Sequence, residues 1–280
     1  MAAMKEGKLY IVATPIGNMK DITFRAVEAL KSSGLIIAED TRVTKKLLNN
    51  YGIKTQLISY HKFNEKKRTE EIAGIISGGK DVSLVSDAGT PLISDPGFVI
   101  VRECINRGIE VVPVPGPSSV TASLVVSGFD PAKFFFCGFL DRKKAAKEKQ
   151  LRELETIDAP VVIFEAPGRV KGTLAVVSAV LGSRRAAVVK EISKVHEKIY
   201  RGAVEEVSAS IDEDALKGEF IIIIAPPDGE KGGASEEEVK KCLLRLMKEG
   251  KTKSDAVKEA AGELKVKKNT VYRIANKINE

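Results

Sequence analysis

Four short apolar runs punctuate the first part of the chain: KLYIVAT (Lys8–Thr14), GLIIAED (Gly34–Asp40), VSLVSD (Val82–Asp87) and IEVVPV (Ile109–Val114). Each is β-rich and of the length of a strand buried on both faces. Between them, amphipathic segments with helical spacing fall at Arg25–Lys31, Thr69–Ile76 and Val99–Arg107. Strand and helix in alternation predict an α/β lobe around a largely parallel sheet.

A proline-rich connector, PVPGPSS (Pro113–Ser119), precedes a second set of apolar runs. KFFFCGFL, APVVIFEA, AAVVKEI, EKIYRGA and EFIIIIAPP predict five more strands, with helices at Lys143–Thr156, Val170–Leu181 and Val204–Ile211. This reads as a second α/β lobe. PPDGEKGGAS (Pro226–Ser235) has the composition of a linker. Beyond it the pattern is all helical, over Glu236–Lys248, Thr252–Ala261 and Asn269–Asn279. Thr252 with Asp255 fits a capping box, and Asn269 fits an N-cap. The expected organisation is a lobe at 1–114, a lobe at 115–228 and a helical extension at 235–280, two short helices of which are compatible with a helix-turn-helix.

Composition narrows the class. With 43% hydrophobic and 30% charged residues the chain is of globular type. No apolar run approaches the ~20 residues of a membrane span, and the N-terminus lacks a signal-peptide core, so the expected location is cytoplasmic with no membrane partner. Cys104, Cys137 and Cys242 are too scattered for a disulfide framework or metal cluster. The net charge is +7. Lys251–Ile278 carries eight Lys/Arg against three Asp/Glu, and RKKAAKEK (Arg142–Lys149) five against one. Either run alone fits a solvated helix face; the two together point towards a polyanionic partner such as nucleic acid. With no Trp and 5% aromatics, no aromatic-rich stacking platform is evident, so RNA would be held by charge and shape.

The candidate chemistry lies at strand ends. In VSLVSDAGTPLISDPG (Val82–Gly97), Asp87, Ala88, Gly89 and Thr90 fall at the carboxyl end of a strand, the edge where open α/β sheets bind ligands. Ala88 and Gly89 allow close approach to the backbone, and Asp87 and Thr90 supply polar anchors. Asp95, followed by Pro96, is expected to cap the next helix. The same edge receives Pro15, Gly17, Asn18 and Asp21 from the first strand, Glu39, Asp40 and Arg42 from the second, and Ser118 and Ser119 after VPGPSS. Four such loops imply a cleft. A dinucleotide fingerprint and a P-loop are both absent, and His61 and His196 fit neither a triad nor a zinc spacing.

TPIGNMKDITFRA, AEDTRVT, VSLVSDAGTPLISDPG and VPGPSS, in this order, resemble the small-subunit ribosomal RNA cytidine 2′-O-methyltransferases of the tetrapyrrole methylase superfamily. FEAPGRV, KEISKVHEKIYRG and KGEFIIIIA extend the resemblance over roughly residues 7–225, with Gly168 where the family commonly has a histidine. The basic tail is similar to an extension found on many members. The resemblance implies a two-lobed α/β tetrapyrrole-methylase-like fold, a homodimer, and S-adenosylmethionine in the cleft. By position it implies cofactor contacts from Pro15, Asp87, Ala88, Thr90, Ile93, Ser118 and Ser119 in the first lobe. In the second lobe it implies Glu165, Ala166, Ile192, Glu219 and Phe220.

The implied partner is the small ribosomal subunit or its rRNA, and the implied reaction an in-line methyl transfer to a ribose hydroxyl. A base near that hydroxyl would assist. Asp40 and Glu191 are candidates, with Arg42, Lys190 or Lys194 to orient RNA phosphate. Each also fits half of an ion pair, Glu191 with Lys194 in particular. Two other readings share the same cleft: a methyltransferase of a tetrapyrrole or other small molecule, and a non-catalytic ribosome-assembly protein that binds RNA.

Overall fold

The computed structural model describes residues 6–227, 236–264, 266 and 268–278. The expected linker at Pro226–Ser235 lies, from residue 228 onward, outside the described residues.

The first lobe is a five-stranded sheet in the order β3-β2-β4-β1-β5, parallel throughout. Its strands are β1 (Leu9–Val12), β2 (Leu35–Ala38), β3 (Leu57–Ser59), β4 (Val82–Val85) and β5 (Val111–Val114). The connecting helices are α1 (Phe24–Ser32), α2 (Thr41–Asn50), α3 (Glu65–Ser77) and α4 (Phe98–Asn106). Period-two alternation sends Val12, Ile36, Ala38 and Val85 towards α1 and α2. Leu9, Leu35, Ile37, Val82 and Leu84 face α3 and α4. A strand packed on both faces has no polar side, which is why β2 and β4 are buried throughout. Pro113 cannot donate to a ladder, and it sits in β5, an edge strand.

The second lobe is a mixed sheet in the order β6-β7-β10-β8-β9. Its strands are β6 (Phe135–Phe139), β7 (Val161–Glu165), β8 (Arg185–Lys190), β9 (Lys198–Ala203) and β10 (Phe220–Ile224). Among paired strands only β6 and β7 are parallel; β10 is antiparallel to both β7 and β8. The start of β10 therefore lies beside the ends of β7 and β8, with Phe220 opposite Glu165 and Lys190. Three helices, α6 (Lys144–Leu154), α7 (Val170–Leu181) and α8 (Val204–Ser210), cover one face. The other face takes α5 (Ser119–Val125) together with Ile16, contributed by the first lobe. That shared core turns the ligand-binding edges of the two sheets towards one another.

The extension is a three-helix unit of α9 (Glu236–Lys248), α10 (Lys253–Glu263) and α11 (Lys268–Lys277) around its own apolar core. Thr252 caps α10, its hydroxyl accepting from the Asp255 N–H. α11 begins at Lys268, one residue before the Asn269 expected to cap it. No helix among the described residues is long and apolar enough to cross a membrane.

Candidate active site

Four loops of the first lobe are tied together by backbone groups. The Thr14 N–H donates to the Gly89 carbonyl at 2.8 Å and the Gly89 N–H returns to Thr14 at 3.0 Å. The Thr90 hydroxyl donates to the Pro117 carbonyl at 3.2 Å, joining the ends of β4 and β5. The Asp40 N–H donates to Asp87 Oδ1 at 3.0 Å, joining β2 to β4. The turn after β4 is thus fixed from three sides before any ligand arrives.

Asp95 departs from its expected role. α4 starts at Phe98 with Gly97 in the capping position, and no side chain caps it. Leu92 and Ser94, at φ 72° and 70°, take the left-handed conformation, which costs a non-glycine residue of order 1 kcal/mol. The loop so shaped puts Ile93, Ser94 and Asp95 on a cavity wall. Burial pushes the Asp95 carboxyl up to about 6, and the nearby Asp87 adds to this against a hydrogen bond from Ser86.

The second lobe repeats the device. Glu191 and Ser193 are left-handed, at φ 51° and 65°, and the residue between them, Ile192, lines the same cavity. The Glu191 carboxylate accepts from Lys194 Nζ and from the Glu219 N–H, both at 2.8 Å. Burial would raise this carboxyl, but those two donors hold it below its ordinary value. Gly218 passes so close that a Cβ there would overlap the Glu191 carboxylate. Gly17 marks the contact between lobes: a Cβ on it would lie 2.5 Å from Lys194 Cγ and 2.8 Å from the Ile192 carbonyl oxygen.

Glu165 supports the site from behind. Its side chain is fully buried and its oxygens are taken up by Arg169 Nε at 2.7 Å, the Thr173 hydroxyl at 2.5 Å and the Ala166 N–H at 2.8 Å. Lys147 donates to the same Thr173 hydroxyl at 2.6 Å and is itself buried. One of the cations in the basic run RKKAAKEK is thus spent on the core, not on a solvated face.

Between the lobes lies a cavity of about 400 Å³. Asp87, Ala88, Thr90, Ile93, Ser118, Ser119, Glu165, Ala166, Ile192, Glu219 and Phe220 all line it. Pro15 does not; the loop that carries it braces Gly89 from outside. Asp40, Arg42, Lys190 and Glu191 also lie off the cavity wall. Asp40 caps α2 and pairs with Arg42 at 2.6 Å, and the Arg42 hydrogen bond holds its carboxyl down at about 2. Both proposed bases, Asp40 and Glu191, are therefore committed to ion pairs, as their spacing also allowed.

Of four further contributors, sequence reasoning placed Glu39 at this edge and missed Asp95, Phe139 and Phe164. Glu39 and Asp95 face Asp87 across the first-lobe wall, and Phe139 and Phe164 form an edge-to-face pair, centroids 5.6 Å apart, on the second. The aromatic pair comes from the ends of β6 and β7, where Phe139 and Phe164 stand opposite one another in register. The wall carries five acidic residues and no Lys, Arg or His. Burial raises the carboxyls of Glu39 and Asp87; repulsion from Asp95, Asp87 and Asp40 adds to the first, and repulsion from Asp40 to the second. A cavity this short of positive charge suits a cationic ligand with apolar and aromatic parts. S-adenosylmethionine, with its sulfonium, fits that donor set.

Residues 8–208 match the tetrapyrrole (corrin/porphyrin) methylases. The chain is 41% identical over 271 residues to "Ribosomal RNA small subunit methyltransferase I" of Bacillus subtilis, covering 95% of this chain and 93% of that one. It is 44% identical over 219 residues to the protein of the same name from Thermotoga maritima, covering 78% of this chain and 98% of that one. Among solved structures it resembles a cobalt precorrin-4 methyltransferase, with a TM-score of 0.60 and 17% identity over 78% of this chain and 94% of that one. It also resembles a uroporphyrin-III C-methyltransferase from Thermus thermophilus solved with S-adenosyl homocysteine. There the TM-score is 0.55 and the identity 19%, over 78% and 97% of the two chains.

Proposed function

We propose, from the premise that this chain belongs to the tetrapyrrole (corrin/porphyrin) methylase family, that it methylates the ribose 2′-oxygen of a cytidine in small-subunit ribosomal RNA. The observation that carries this reading is the acid-lined, cation-free cavity at the facing edges of the two sheets. The relatives similar over most of the chain supply the substrate class.

S-adenosylmethionine brings to the cavity a methyl group on a positively charged sulfur, open to in-line displacement. Asp87, Glu39 and Asp95 give that charge a complementary wall. Ile93 and Ile192, presented from opposite lobes, exclude water and fix the approach line, which is where alignment lowers the barrier. Asp95 is ionised at neutral pH with a carboxyl near 6, a range suited to taking the proton released as the oxygen–carbon bond forms. Ser118 and Ser119, at the start of α5, and the exposed Ala166–Pro167 turn bound the remaining sides.

The partner is the small subunit or its rRNA, the location cytoplasmic, and the assembly a homodimer. The two-lobed body suffices for the chemistry: 219 aligned residues make up 98% of the Thermotoga maritima relative, a chain little longer than this body alone. The test is transfer of labelled methyl from S-adenosylmethionine to small subunits from cells lacking this protein, followed by nucleoside analysis. A 2′-O-methylated cytidine is the expected product. Cofactor binding without transfer to subunits or RNA would move the substrate to a small molecule.

A further inference from the structure

The strongest charge asymmetry of the chain lies in neither basic run noted above. Residues 41–68 carry eight Lys/Arg and a single acid, Glu65. The sequence hides this because the charges are dispersed over two helices, α2 and α3, and the loops on either side of β3. In the fold all but Lys54, which precedes β3 at the opposite edge, lie on elements that start from one edge. β3 is the edge strand beside β2, and the Tyr60 N–H donates to the Ala38 carbonyl, the residue before Glu39 of the cavity wall. The loop after β3 and the first turns of α2 and α3 therefore share the ligand-binding edge. Lys45, Lys46, Lys62, Lys66 and Lys67 are all exposed there. None of these lysines enters an ion pair among the described residues.

The same loop holds a large apolar side chain in water. Phe63 is 95% exposed, between Lys62 and Lys66. The backbone beneath it is well secured. Asn64 Oδ1 accepts from the His61 N–H at 2.8 Å, and its amide nitrogen donates to the Ser59 carbonyl at 3.3 Å. The His61 ring meets Phe63 edge-on, centroids 6.0 Å apart. Tyr60, fully buried, is bonded to Thr69 of α3 at 2.9 Å. An aromatic ring held out by a pinned loop and ringed by unpaired lysines matches single-stranded nucleic acid: phosphates for the lysines, a base for the ring.

We propose that this surface, on the body of the protein and beside the cavity mouth, grips the single-stranded RNA that flanks the target nucleotide. One base stacks on Phe63, and neighbouring phosphates lie against Lys62, Lys66 and Lys67. The inference rests on the functional reading above and adds to it the residues that place the substrate.

The test uses the full chain, a fluorescent single-stranded oligoribonucleotide and unmethylated small subunits. Substituting Lys62, Lys66 and Lys67 together by alanine should reduce the slope of log affinity against log salt by about 2, at ~0.7 per lost phosphate contact. Phe63→Ala should weaken binding roughly 5- to 100-fold with little change in slope, and Phe63→Trp should restore it. S-adenosylmethionine affinity by calorimetry should be unchanged in every variant, and KM for subunits should rise. Unchanged slope and affinity would overturn the proposal, and a lysine effect without a phenylalanine effect would overturn the stacked contact on which it is built. Wild-type protein that binds RNA and cofactor yet transfers no methyl would instead sink the functional reading and leave the surface standing.

Discussion

The backbone N–H of Asp40 donates to the carboxylate of Asp87 across 3.0 Å, tying the end of β2 to the turn after β4. Asp87 thus does two things: it lines the cavity, and it sets the spacing of the loops that shape it. Burial raises its carboxyl, so its charged form is held at a cost that a cationic ligand relieves. Asp87→Ala should lower S-adenosylmethionine affinity at least ~10-fold while shifting the melting temperature by no more than about 2 °C. Calorimetry on the two proteins checks this; unchanged affinity would remove Asp87 from the site.

Asp95 should report itself through pH. Its carboxyl is raised to about 6 in the folded chain, above its unfolded value. The folded state therefore holds the proton more tightly, so stability is favoured at low pH and lost as pH rises through 6. Asp95→Asn removes that penalty and should melt higher than wild type at pH 8, by roughly 1 kcal/mol after allowance for solvent screening, with the gap closing towards pH 4. If Asp95 takes the ribose proton, the same variant should lose about 100-fold or more in kcat, and with it the acid limb near pH 6. A variant with wild-type kcat and an intact limb would assign the proton elsewhere.

Glu165 is the buried hub of Lys147, Thr173 and Arg169. Glu165→Ala would leave those cations without their carboxylate and should cost about 3–5 kcal/mol in a denaturant titration. A loss below about 1 kcal/mol would show that the network contributes little.

Gly17 packs against the Ile192 carbonyl and the Lys194 side chain. Gly17→Ala must push the 191–194 turn away, at about 1–3 kcal/mol. Because Ile192 lines the cavity, cofactor affinity should fall alongside stability; stability loss with unchanged affinity would separate the joint from the site.

Much of this was legible in the sequence. The runs around Leu9–Val12, Leu35–Ala38 and Val82–Val85 became strands because a parallel strand packed on both faces has no polar alternation to blur it. β3 was missed, being three half-buried residues at an edge. α2 was missed as well: TRVTKKLLNN mixes β-branched and amide residues, although Thr44, Leu47 and Leu48 mark its buried face. The first-lobe wall followed from the motif loops. The second-lobe aromatics did not, since Phe139 and Phe164 looked like ordinary strand residues until the two sheets were set edge to edge. Asp95 misled because Asp-Pro is a sound helix-start signal, and only the left-handed backbone at Leu92 and Ser94 turns it away from α4.

The cation-free cavity wall has a consequence for how an RNA strand can be read. A nucleotide is neutral at its sugar and negative at its phosphates, and the acidic interior rejects the second while tolerating the first. A bound RNA strand is therefore expected to present a sugar to the cavity and to keep its phosphates outside.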